Sequence, residues 1–146
     1  MATRYFALIL GIVFLVVGIA GFIPALVTPP APGDPPLALA AGHGRLFGLF
    51  PVNWVHNLIH LAFGIAGIAC YRSLGAARNY SRITGIVYAA LIIFGFIPVL
   101  HTTFGLAPLH GHDIWLHALI AAPALYFGFF HTERRHVTTT ARGDRY

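Results

Sequence analysis

Nine histidines in 146 residues give this chain its main chemical potential. His56 and His60 stand one helical turn apart, so on a helix both project from one face. His117, in Trp115-Leu116-His117, echoes His56 in Trp54-Val55-His56. Neutral imidazole ligates zinc, copper and iron and serves haem as an axial ligand. His56, His60 and His117 are therefore a candidate cofactor-binding set, for haem or a divalent metal. His101, His110, His112 and Asp113 are a second candidate set, a surface metal site. Two other chemistries compete for the same residues. Imidazoles, with Asn53 and Asn57, can hydrogen-bond between helices, at about 0.6 kcal/mol per bond in lipid. Alternatively, His56 and His60 relay protons or line a small permeation path, as in a proton or solute transport protein. No His-Glu-x-x-His or cysteine-bearing signature accompanies them. Cys70 is the single cysteine, so neither an internal disulfide nor a thiolate cage can form. No complete catalytic constellation is present, and the expected role is non-enzymatic: a structural or accessory component acting through protein or lipid contacts.

The elements that must position these side chains are apolar. The chain is 58% hydrophobic and 9% charged, too little polar surface for a soluble fold of this size. The expected fold is an all-α membrane protein, a bundle of four transmembrane helices in one domain. The spans are expected over about 5–27, 54–71, 83–100 and 114–130, each near the ~20 residues that a ~30 Å hydrocarbon core requires. Backbone groups in lipid must be satisfied within the segment, so these runs are helices. The first run exceeds the apolar core of a secretory leader and is read as an anchor.

All nine basic residues are arginines, and they gather at particular helix ends rather than in one patch. That pattern speaks for topology and against nucleic acid. Arg4, Arg72, Arg78, Arg82, Arg134, Arg135, Arg142 and Arg145 flank the N-terminus, the second connection and the tail, whereas the first and third connections carry only Arg45. Both termini are accordingly expected in the cytoplasm. Arginine without lysine, beside abundant Ala and Gly, suggests a bacterial cytoplasmic membrane. The lipid bilayer is the expected partner, together with a homodimer or larger membrane complex.

The chain also repeats itself. Gly11–Leu26 and Gly85–Leu100 are identical at about half of sixteen positions, including the closing Gly-Phe-Ile-Pro. With the Trp-x-His starts of the second and fourth spans, this predicts two related helical hairpins whose axis runs along the membrane normal. Pro24 and Pro98 should mark helix ends. The proline-rich stretch 28–36 should be extended, Leu46-Phe47-Gly48-Leu49-Phe50 should lie at the outer membrane surface, and 132–146 should form an arginine-rich cytoplasmic tail that meets anionic headgroups.

The stretch Phe50-Pro51-Val52-Asn53-Trp54-Val55-His56-Asn57-Leu58-Ile59-His60, with Gly64 and Gly67, resembles an uncharacterised family of small bacterial four-helix membrane proteins catalogued as a domain of unknown function. Gly85-Ile86-Val87-Tyr88 and Trp115-Leu116-His117 extend the resemblance, which covers roughly 5–131. It implies the fold and the location, and carries no activity.

Overall fold

The computed structural model describes residues 1–133. The expectations for Arg134, Arg135, Arg142 and Arg145, and so for most of the 132–146 tail, lie outside the described residues. The fold is mostly helical: four α-helices and one small three-stranded sheet. The helices are α1 (Ala2–Ala20), α2 (Trp54–Cys70), α3 (Leu74–Gly95) and α4 (His112–Leu125), the last continued by a π-helical turn, Tyr126–Phe130. Pro123, inside α4, has no N–H to donate, and the backbone widens into the π turn just beyond it. Two stretches, Ala2–Ala20 and His112–Phe130, are long and apolar enough to cross a membrane; Trp54–Cys70 is apolar but shorter.

Three expected boundaries move. The first helix ends at Ala20, not at Val27, and Pro24 opens a separate short 3-10 turn, Pro24–Leu26. The third helix begins at Leu74, nine residues before the expected start at Ile83, and ends at Gly95, short of Pro98. Ser73 caps it, its hydroxyl accepting from the Ala76 N–H at 3.1 Å. Of the arginines expected in the second connection, Arg78 and Arg82 lie on this helix, bonded to backbone carbonyls. Arg78 donates to His131 O at 3.0 Å and Arg82 to Gly128 O at 2.8 Å, while Arg4 on α1 donates to Tyr71 O at 2.7 Å. Each thus satisfies a carbonyl at the C-terminal end of a neighbouring helix, where cations also complement the dipole.

The segment 46–50, expected at the outer membrane surface, is the hairpin of a small sheet. Strands β1 (Val27–Thr28), β2 (Gly44–Leu46) and β3 (Phe50–Val52) pair antiparallel in chain order, with Leu46 opposite both Val27 and Phe50. Phe47 at φ 54° and Gly48 at φ 73° turn β2 back into β3. Leu46 and Val52 are buried against Ala20 and close the end of the bundle.

Helix α1 packs chiefly on α2, and α3 on α4. Both crossings use the same device. A Cβ on Gly11 would stand 2.8 Å from Gly64 O and 2.8 Å from Ile68 N; one on Gly85 would stand 2.8 Å from Leu125 N. Gly11 and Gly85 are equivalent in the sequence repeat, and so are Gly64 and Leu125. The repeat is therefore expressed as two similarly crossed hairpins. At their junction the repeat-equivalent rings Phe14 and Tyr88 stack, 5.4 Å apart at 24°.

Candidate functional site

Asn53 sets the local frame. As the cap of α2, it accepts from the His56 N–H at 2.9 Å, while its amide donates to Leu39 O at 2.9 Å and Leu106 O at 2.7 Å. One fully buried side chain therefore starts α2 and ties both long connections to it. From that start the next turns of α2 carry His56 and His60 inward, with ring centroids 4.5 Å apart.

Helix α4 brings His117 to the same place, and α3 brings Tyr88. Tyr88 meets His117 edge to face at 4.9 Å, and His60 stacks on Phe14 at 5.4 Å. The three histidines of the first candidate set and Tyr88 line one chamber of about 70 Å³. Its roof is the third connection, through Thr103, Ala107, Pro108 and Leu109. That roof is strained. Thr103, Phe104 and Gly105 have φ of 49°, 59° and 82°, and a β-branched residue seldom adopts such a value.

The second candidate set does not converge. His101 and His110 face each other at 6.0 Å between ring centroids, in the loop layer. His112 turns away, its Nδ1 accepting from Trp115 Nε1 at 2.9 Å. Asp113 points inward instead: it is 2% exposed, and its Oδ2 lies 4.0 Å from His56 Nδ1. Among the described residues no three His, Cys, Asp or Glu side chains stand where they could hold one metal ion. The chamber is also small beside the ~300–1,000 Å³ of ordinary ligand pockets, so it does not fit a porphyrin.

Interhelical hydrogen bonding does not describe these side chains either. His60 Nδ1, His117 Nδ1, Asp113 Oδ2 and both polar atoms of the Asn57 amide are buried with no protein partner. Asn57 fills the space beside Gly21, where a Cβ would come within 2.1 Å of its Oδ1.

The loop layer above holds its own charged group. Asp34 and Arg45 form a forked ion pair, with Arg45 Nε 2.9 Å from Asp34 Oδ2 and Nη2 2.5 Å from Oδ1. The Ala31 N–H adds a third bond, at 2.8 Å. The Arg45 hydrogen bond holds the Asp34 carboxyl at about 2, against an ordinary 3.8. Burial pushes the His110 imidazole down, and the Asp34 charge opposes that shift.

Asp113 and Tyr88 were not among the residues first associated with His56. Tyr88 had a signal in sequence, a phenol in the middle of an apolar run. Asp113 had a misleading one, because its neighbour His112 suggested a surface site.

Helices with glycine crossings, a polar interior and a sheet over one end define a small, mostly helical protein class built of two hairpins. Residues 4–130 match the family described as "Domain of unknown function (DUF4383)", and the chain belongs to that family. No curated protein and no solved structure matches it.

Proposed function

We propose that the chain is a multi-pass membrane protein, its four helices spanning the bilayer with both termini on the cytoplasmic side, and that it acts as a structural or accessory component through contacts with protein or lipid. The observation that carries this reading is the inverted polarity of the bundle. Its interior holds Thr3, Asn57, His60, Ser81, Thr84 and Asp113, while Ile9, Val16, Ile65, Ile86, Ile93 and Leu119 are more than half exposed. In water such an arrangement would leave large apolar areas hydrated, at about 25 cal/mol per Å². In lipid it is the favourable one, because polar side chains gain by facing the bundle.

The arginine asymmetry supports the orientation, since Arg4, Arg78 and Arg82 share the end opposite the sheet. The apolar surface that remains is where a second copy or another membrane protein would pack, and the close glycine crossings inside the molecule follow the small-residue rule of helix association in membranes.

Cysteine accessibility tests the placement. In a Cys70→Ser background, Gly33→Cys and Gly75→Cys each sit where a side chain meets nothing within 4 Å. In intact cells an impermeant thiol reagent should label the first and spare the second. Labelling of both, or of the second alone, would overturn the proposed topology.

A further inference from the structure

We propose that the chamber under the third connection is a binding site for one small cation that donates hydrogen bonds, either a proton held by its imidazoles and water or an ammonium-sized ion. The case starts from an imbalance of charge. Asp113 is 2% exposed and Oδ2 has no hydrogen-bond partner; among the described residues its one ion-pair neighbour is His56, 4.0 Å away. A buried carboxylate without a counter-charge is strongly disfavoured, so the group is neutralised, by a proton or by a positive charge brought close to it.

The chamber is where that charge fits. His56 stands between Asp113 and the chamber, and His60 and His117 complete a wall of three imidazoles that offer lone pairs. The titratable groups lining the space are His56 and His60 from α2, Tyr88 from α3 and His117 from α4, with Asp113 of α4 behind His56. The third connection adds Thr103 to the lining, the Phe14 ring of α1 stacks behind His60, and His101 and His110 lie in the loop layer beyond. No lysine or arginine lines the chamber, so nothing there recommends an anion.

Size sets the class. At ~10–15 Å³ of such volume for each water, a space of about 70 Å³ takes a few water-sized particles and no larger ligand. A cation with N–H or O–H donors would bond the orphaned imidazole nitrogens, which a quaternary ammonium cannot do. The left-handed run Thr103–Gly105 lies over the site, and strained backbone of this kind collects at ligand clamps. The inference does not depend on the accessory role proposed above, and its test reads a different property.

The experiment uses the full-length protein in lipid nanodiscs, with histidines labelled at nitrogen. Two titrations are followed by imidazole nitrogen shifts: ammonium chloride against tetramethylammonium chloride at fixed pH and ionic strength, and pH without ammonium. A response of the chamber imidazoles to ammonium and not to tetramethylammonium assigns the ammonium ion. A response to pH alone assigns the proton. In either case Asp113→Asn, which keeps the shape and removes the charge, should weaken the response about tenfold or more, the scale of one lost charge-assisted bond. His60→Gln provides the same comparison should Asp113→Asn fail to fold. His112→Ala should leave the response unchanged, because that ring bonds Trp115 and lies outside the chamber lining. No response to either titration, or an undiminished response in the Asp113 and His60 variants, would overturn the proposal.

Discussion

Gly11→Ala offers a sharp test of how the first hairpin is held together. The added methyl would stand 2.8 Å from Gly64 O, 2.8 Å from Ile68 N and 3.0 Å from Gly67 C, all of them backbone atoms. Unstrained carbon contacts begin at about 3.5 Å, so α1 and α2 must separate by roughly 0.7 Å along that line. A gap of ~0.5–1 Å forfeits a quarter to a half of each dispersion contact around it. Overpacking of this kind costs about 1–3 kcal/mol. The intrinsic helix preference of Ala over Gly returns about 1 kcal/mol at most. The net expectation is a loss of up to about 2 kcal/mol. Gly75→Ala is the matched control: it lies in the first turn of α3 with nothing within 4 Å, and it should gain about 0.5–1 kcal/mol. Both are measured as unfolding free energies in mixed micelles, by helical circular dichroism against a denaturing detergent. A gain by Gly11→Ala equal to that of Gly75→Ala would refute the close crossing.

Other expectations concern the loop layer and the arginine end. Asn53→Ala removes the α2 cap and both carbonyl tethers, and should cost about 2 kcal/mol or more in the same assay. Asn53→Asp keeps the cap but turns a buried carboxylate oxygen toward the Leu39 and Leu106 carbonyls, so at neutral pH it should cost at least as much. The Asp34 carboxyl is held at about 2 in the folded chain against 3.8 ordinarily, so its stabilising share is complete above 3.8 and is lost as pH falls toward 2. Backbone amide shifts of 31–45 should report a transition in that window, and Asp34→Asn should abolish it; a transition that persists would assign it to another group. Arg82→Ala strips the donor from Gly128 O and should speed amide exchange at the end of α4, with little effect at the sheet end.

Length and hydrophobic run predict four helices, and the described residues form four α-helices. Their edges were less legible, because interfacial arginines look like a loop in one dimension. Arg78 and Arg82 can extend along α3 only because the end of α4 presents carbonyls to them. The sheet was invisible because each strand holds two or three residues and its pairing joins Val27 to Leu46, across a proline-rich loop. Gly48 was the one local sign of the β2–β3 turn. In the site, helical spacing predicts that His56 and His60 share a face, and the repeat predicts that His117 joins them; all three line the chamber. The inward turn of Asp113 follows from where the third connection delivers α4, which no spacing along the chain encodes.

The stacked pair Phe14 and Tyr88 has a consequence for how such a protein can change. Equivalent positions in the two hairpins have diverged: Phe14 against Tyr88, His60 against Ala121, Val52 against Asp113. Among the polar side chains of the site, only His56 and His117 remain alike. Each copy contributes what the other lacks, one the second imidazole and the other the phenol and the carboxylate. A reversion in either hairpin therefore cannot be covered by its twin, and two halves that began as interchangeable have become mutually dependent.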